Sequence, residues 1–321
     1  MPLLHLQDIC DAKLADYQGL KDRQLSEDFM RPAGEIVEAP RSTNRQLQRH
    51  LPTKFMAEGA MVVSTLVASS YRTLSLLCSI DRVPVLQPTI NLLLARDPAT
   101  PIYIVPKESI GALMGFEMHR GIMAIGQRPP RLQSAATQPT DDASLATTAK
   151  PLAGLEHLVA LCAPGKPMVI LEEIYNHDNV GAAFRNAAAF GASSVILSDG
   201  CADPLYRKAL RVSMGNALLV PFGYAAPGPL ARDLLPALHL AGIESAALTP
   251  RHAFGTIDLD AFSTSGRKRR LALLIGSEGP GLSAATLASA SHRLSIAMAA
   301  GTDSLNAAVA GAVALHALSV R

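Results

Sequence analysis

Net charge is almost missing from this sequence: 29 Lys and Arg residues stand against 27 Asp and Glu, a formal +2 at pH 7. No global field therefore demands a nucleic-acid partner. Also missing is an apolar run long enough to cross a bilayer. The most apolar stretch, residues 305–320, is interrupted by Asn306 and His316 and falls short of the roughly 20 residues a span needs. The opening segment, "MPLLHLQDICDAKLADYQGLKDRQ", has acids, no uninterrupted apolar core and no cleavage site, so no signal peptide is expected. Cysteine is scarce. Cys10, Cys78, Cys162 and Cys201 lack metal-ligand spacing, which points away from a metal site and towards reduced, buried thiols in a cytoplasm.

What is present is apolar bulk, with 49% hydrophobic residues and a mean hydropathy of +0.21. The chain can bury sizeable cores, and its 321 residues predict two domains at roughly 100–200 residues each. A divider is visible. Residues 129–151, "PPRLQSAATQPTDDASLATTAKP", hold four prolines and little large apolar content, the composition of a linker. This leaves an N-terminal part, 1–128, and a C-terminal part, 152–321.

In the N-terminal part, "FMAEGAMVVSTLVASS" has a helical rhythm after a short strand, "SLLCSI", "PIYIVP" and "GIMAIGQR" read as strands, and "ESIGALMGF" reads as a short helix. The expected product is a small α/β domain, with residues 34–54 as an exposed insertion. The C-terminal part alternates more regularly. Strands at "PMVILEEI", "SVILSD", "LLVPF", "LALLIG" and "RLSIAM" are separated by helical segments, and Gly191 is placed to end the helix over "NVGAAFRNAAAFG". Such alternation predicts a parallel sheet covered on both faces, with ligands beyond the carboxyl ends of its strands.

Three strand ends stand out. One is followed by Asn179, Arg185 and Asn186, a second by the glycine-rich "GSEGPGLS" around Glu278, and the third by Ser304 and Asn306. Glycines after a strand let backbone approach a ligand, usually a phosphate. Glu278 would repel a phosphate, so a neutral or cationic ligand is expected, or a carboxylate that fixes its own loop. The set is rich in amides and hydroxyls and poor in histidine, which suits hydrogen bonding to a polar ligand. Some of these residues also have a plain structural reading: Asn179 and Ser304 suit helix N-caps, and Arg185 suits a solvated surface. Basic clusters at Arg41, Arg45, Arg49 and Lys54, at Arg120, Arg128 and Arg131, at Arg207, Lys208 and Arg211, and at 267–270 each read as a solvated face or as a polyanion contact.

The blocks "NVGAAFRNAAAFGASSVILSD", "LALLIGSEGPGLS" and "LSIAMAAGTDSLNAAVAGAVALHAL" resemble, in order and internal spacing, the three signature motifs of the SpoU-type RNA ribose 2′-O-methyltransferases of the SPOUT superfamily. The resemblance covers residues 168–321. More loosely, "FMAEGAMVV" and "GFEMHRGIMAI" resemble the family's N-terminal domain, which is related to RNA-binding ribosomal proteins. The resemblance implies an α/β fold whose C-terminal strands thread a deep trefoil knot, a rare exception among protein chains. It implies S-adenosylmethionine as cofactor, held largely by backbone at Gly276, Gly279, Ile296, Met298 and Leu305, with Glu278 orienting the knot loop. Ala297 stands where the family usually has proline, which removes a rigid ring and leaves a backbone donor to satisfy.

Methyl transfer is an in-line displacement, so positioning dominates. Arg185 matches the family's motif-one arginine, which acts as base or together with an RNA phosphate. A guanidinium with a pKa above about 12 is a poor base, and its planar fork suits a phosphate next to the target ribose. Asn179, Ser304 and Asn306 would orient the ribose, Arg185 and the cofactor tail. The resemblance further implies an RNA substrate, ribosomal RNA ahead of transfer RNA, recruited by the N-terminal domain with Arg120, Arg128 and the 41–54 cluster. It also implies a homodimer through the knotted domain, whose final helix is apolar nearly all round. Two rivals are a catalytically inactive RNA-binding protein with this fold and a dinucleotide-dependent oxidoreductase. Against the latter, the glycines at 276, 279 and 281 run G-x-x-G-x-G, and no acid occurs from Pro280 to Thr302 to bind a ribose.

Overall fold

The computed structural model describes residues 3–18, 53–114, 121–129, 154–250, 255–299, 301–302 and 304–320. Most of the 34–54 insertion, nearly all of the linker, and Arg41, Arg45, Arg49, Arg120 and Arg131 lie outside them. The chain forms two compact units, Met1–Pro130 with Asp203–Leu219, and Arg131–Ala202 with Val220–Arg321.

The first unit is built on strands β1 (Leu3–His5), β2 (Lys54–Glu58), β3 (Thr73–Ser79), β4 (Ile102–Val105) and β5 (Ile122–Gln127), in the sheet order β1-β4-β3-β5-β2. β1, β4 and β3 run parallel; β5 is antiparallel to β3 and β2. Helices α1 (Ala60–Ala68), α2 (Val83–Arg96) and α3 (Ser109–Met114) complete it. Leu14, Tyr17, Met56, Leu77 and Tyr103 share one core, and the Tyr17 hydroxyl is satisfied by Ser75 Oγ at 2.7 Å. Asp203–Leu219 belongs to this unit although its sequence lies within 152–321. Its helix carries Arg207 and Arg211, which reach the buried Glu58 carboxylate at 3.7 and 3.9 Å.

The second unit holds a seven-stranded sheet in the order β10-β12-β9-β11-β6-β7-β8, every pair parallel. The strands are β6 (Met168–Glu172), β7 (Ser194–Leu197), β8 (Phe222–Tyr224), β9 (Glu244–Leu248), β10 (Ile257–Asp258), β11 (Leu271–Gly276) and β12 (His292–Ser295). The helices are α4 (Glu156–Leu161), α5 (His177–Phe190), α6 (Arg207–Val212, in the first unit), α7 (Leu234–Leu240), α8 (Leu259–Gly266), α9 (Ala284–Ser289) and α10 (Ala307–Leu318). β6, "MVILE", is buried at every position. An unbroken apolar run of this kind is what a strand covered on both faces requires.

Local signals fix the helix ends. Gly191 closes α5 at φ +70°, a conformation that costs glycine little. The N-cap of α5 is Asn176, whose side chain accepts from the Asp178 N–H at 2.8 Å. Asn179 therefore does not cap this helix and is buried inside its first turn. The cap of α10 is Asn306, not Ser304, with its Oδ1 accepting from Ala308 and Val309 N–H at 3.0 and 3.2 Å.

The basic run at 267–270 serves the fold. Arg270 donates to the carbonyls of Cys162, Ala241 and Val159 at 3.0, 2.7 and 3.1 Å, reaching carbonyls at the C-terminal ends of α4 and α7. Arg269 pairs with Glu244 at 2.6 Å, and Arg267 donates to the Ala317 carbonyl at 2.7 Å. None of the four cysteines is in a disulfide; Cys10 is exposed and the others are buried. Burial pushes the Cys201 thiol up to about 11.

Candidate active site

β11 delivers the glycine-rich loop. A Cβ on Gly276 would sit 2.2 Å from the Gly281 carbonyl carbon and the Leu282 nitrogen, so the loop can turn back over its own start only because that position is glycine. The return is held by the Gly281 N–H, which donates to the Ser277 carbonyl at 3.0 Å. At its tip Gly279 adopts φ +85°.

The turned-back loop forms one wall of a cavity of about 400 Å³. A second wall comes from Ile296, Met298, Ser304, Leu305 and Asn306, between β12 and α10; a third is Leu248, Thr249 and Pro250, at and past the end of β9. All three lie at carboxyl ends of parallel strands, where ligands of such sheets sit. Among the described lining residues Glu278 is the sole ionisable side chain. The walls are otherwise apolar side chains, hydroxyls, one amide and glycine backbone. Such a lining fits a neutral or cationic ligand with an apolar ring, and among the described residues it offers no cation to a pyrophosphate.

One amide ties the walls together. Asn306 Nδ2 donates to Asn179 Oδ1 at 2.9 Å and to Glu278 Oε1 at 2.5 Å. Its own oxygen is occupied by the cap of α10, so the orientation of the amide is dictated by its neighbours. A second tie runs from Asn186 Nδ2 to the Ala308 carbonyl at 2.8 Å. The first-turn asparagine of α5, the loop carboxylate and the start of α10 thus form one hydrogen-bonded chain.

The residues expected from sequence divide clearly. Gly276, Glu278, Gly279, Ile296, Met298, Ser304, Leu305 and Asn306 all line the cavity, and Asn179 joins through Asn306. Arg185 lies on the exposed side of α5, outside the lining, with no hydrogen bond or ion pair among the described residues. Arg128 belongs to the first unit, where its largely buried guanidinium engages Asp203 with both forks, at 3.2 and 2.5 Å. Arg128, expected to contact RNA, is thus held in this unit by an ion pair with Asp203. Sequence reasoning passed over Leu248, Thr249 and Pro250, although the strand-end rule applied to "IESAALTP" points at them. It also passed over the buried Glu172, whose signal was an acid at the end of an apolar strand. Among the described residues no group of His, Cys, Asp and Glu is arranged to hold a metal, and no helix is long and apolar enough to cross a membrane.

Comparison with known proteins agrees with this architecture. Residues 166–316 match the SpoU rRNA Methylase family. An uncharacterized tRNA/rRNA methyltransferase of Mycobacterium bovis is 32% identical over 316 residues, covering 98% of this chain and 91% of the relative, and one of Mycobacterium tuberculosis strain H37Rv is equally similar. An AdoMet-bound rRNA methyltransferase from Sinorhizobium meliloti has the same fold, with a TM-score of 0.68 at 20% identity over 99% of this chain and 98% of the other. The SpoU methyltransferase AviRb from Streptomyces viridochromogenes, in complex with AdoMet, superposes with a TM-score of 0.64 at 21% identity over 96% and 97%. With the sheet, the three loops and the full-length likeness to the mycobacterial relatives in agreement, this chain belongs to the SpoU family of RNA methyltransferases.

Proposed function

We propose that the protein methylates a ribose 2′-hydroxyl of RNA, with ribosomal RNA as the substrate, and acts as a homodimer in the cytoplasm. The methyl donor is S-adenosylmethionine, which when bound supplies a methyl group activated on a positively charged sulfur. The single observation that carries the reading is the cavity at three strand ends, whose one charged side chain among the described residues is the carboxylate of Glu278 and whose walls are joined through Asn306. A cationic ligand with an apolar ring matches that lining and a dinucleotide does not.

The chain's own residues divide the work. Gly276 and Gly279 bring bare backbone to the cavity, and Ile296, Met298 and Leu305 close it from the opposite side. Glu278 orients the loop through Asn306. Asn179 is fixed by the same amide and, with Ser304, orients the ribose. Arg185, exposed on α5, is available to grip the phosphate beside the target nucleotide and so to place the hydroxyl, which is where most of the acceleration in a displacement reaction arises. RNA as the polymer is supported by the family and by the description of the mycobacterial relatives as tRNA/rRNA methyltransferases. The ribose as the target is supported by the match of Asn179 and Arg185 to the first motif, and the 2′-hydroxyl is the group that separates RNA from DNA. Residues 1–128 serve as the RNA-recruiting domain and residues 152–321 as the catalytic one, joined by a linker over 129–151. The knotted path of the C-terminal strands belongs to the same reading. Dimerisation is supported by α10, which leaves Val309 and Val313 49% and 39% exposed one turn apart.

The deciding experiment is transfer of labelled methyl from S-adenosylmethionine to separated ribosomal and transfer RNA lacking their own modifications, followed by nucleotide analysis. Label on a ribose oxygen in ribosomal RNA is the expected result. Label on a base overturns the ribose assignment. Cofactor binding without label in any fraction favours a substrate presented only in an assembly intermediate, and the absence of both favours the non-catalytic RNA-binding protein.

A further inference from the structure

Glu172 ends β6 with its carboxylate buried and outside the cavity lining. Its Oε2 accepts from the backbone N–H of Ser283 at 3.1 Å, while Oε1 accepts from Ser283 Oγ at 3.0 Å and Thr286 Oγ1 at 2.8 Å. A carboxylate has no proton to give and can take several bonds, so three donors converging on one buried acid fill its needs. The two Ser283 donors sit at the far end of the 277–283 loop, the wall that carries Glu278 and Gly279, and the Thr286 hydroxyl lies in the first turn of α9, which follows that loop directly. The near end is set by β11, where Gly276 stands in register with Glu172 itself. One residue thus fixes both ends of the loop, with its backbone at Gly276 and its side chain at Ser283. Between those ends residues 278–280 are exposed and make no apolar anchor. Leu282 is buried beside the anchor, yet an apolar side chain fixes depth and not direction.

We infer that Glu172 is a positioning residue for the methyl-donor site: its buried carboxylate holds the 277–283 loop in its turned-back form and thereby sets the affinity for S-adenosylmethionine. The inference rests on the reading of that cavity as the donor site. Glu172 touches neither donor nor RNA and acts through the loop. Removing one acceptor of a buried, hydrogen-bonded carboxylate leaves donors facing nothing, and the loss falls on the segment those donors belong to.

The test uses the 321-residue chain, with Glu172→Gln as the principal variant, Thr286→Val deleting one donor, and Ser283→Ala deleting another together with the N-cap of α9. Hydrogen exchange without cofactor should show faster exchange confined to peptides over 277–286 in Glu172→Gln, with β6 and β11 still protected. Calorimetry should show the Kd for S-adenosylmethionine raised about ten-fold in Glu172→Gln and less in the two donor variants. Turnover at saturating donor should stay within about two-fold of wild type, because the anchor affects binding and not the reacting groups. An unchanged loop and an unchanged Kd in folded Glu172→Gln overturn the inference. So does a loss of protection spread evenly over the sheet, which would make Glu172 a general stabiliser. If the wild-type protein itself binds no S-adenosylmethionine, the donor-site reading and the affinity claim built on it both fail, and the exchange data still decide whether Glu172 holds the loop.

Discussion

Asn306 donates its side-chain amide to Asn179 across 2.9 Å although the two residues are 127 positions apart in the chain. The same amide reaches Glu278 at 2.5 Å, and its oxygen caps α10. Asn306→Ala removes all of these together. Loss of the cap costs about 1–2 kcal/mol of stability, visible as a lower Tm, and donor affinity should fall at least several-fold by calorimetry. Asn306→Asp separates the two roles. It keeps the capping oxygen but sets a second acid against Glu278, so Tm should recover towards wild type while donor affinity stays weak. Equal recovery of both would mean that the amide bonds to Asn179 and Glu278 do not matter.

Arg185 makes no ion pair among the described residues, so its removal leaves nothing buried and unsatisfied. Arg185→Ala should therefore shift stability by no more than about 0.5 kcal/mol and leave donor binding intact, while methyl transfer is abolished. Arg185→Lys keeps the charge but not the planar fork, and should restore little of the activity if the guanidinium grips a phosphate with two bonds. An active Arg185→Ala protein would remove this residue from the mechanism.

The strand ends were readable in the sequence because burial on both faces forces runs such as "MVILE" and "LALLIG", and a parallel sheet then gathers whatever follows them. Other features were ambiguous for physical reasons. The stretch "YNHDN" offers two asparagines three residues apart, and either satisfies the N-cap preference. The extended backbone at Asn176 makes it the cap and leaves Asn179 free for Asn306. Residues 83–96 gave no helical signal because they hold Pro84 and Pro88. The first lies in the opening turn, where no N–H is needed, and the second is tolerated inside α2. Charge clusters were the least legible, since a guanidinium suits a backbone carbonyl as well as a phosphate.

Glu244 shows how pH reaches the fold. The hydrogen bond from His292 at 2.6 Å, followed by Arg269, holds its carboxyl below the ordinary glutamate range. A depressed folded pKa means the unfolded chain takes up the proton first. The stabilisation is then fully present above the ordinary carboxylate value and is lost as pH falls through the lower folded one. Thermal melts between pH 6 and pH 3, taken as round values spanning the carboxylate range, should fall less steeply in Glu244→Gln than in wild type. Parallel curves would show that this cluster contributes nothing to acid sensitivity.

Arg270 and Lys268 are two residues apart in the same basic run and should respond very differently to removal. Arg270 is half-buried with its guanidinium on three carbonyls from the ends of two helices, whereas Lys268 is exposed. Arg270→Ala leaves those acceptors without their charged donor and should cost about 3 kcal/mol, read as a lower denaturation midpoint. Lys268→Ala should change stability by less than about 0.5 kcal/mol. If the run instead bound RNA, both substitutions would weaken RNA binding and flatten its salt dependence to a similar degree. Stability and RNA affinity measured on the same two proteins therefore separate a structural arginine from a phosphate-binding patch.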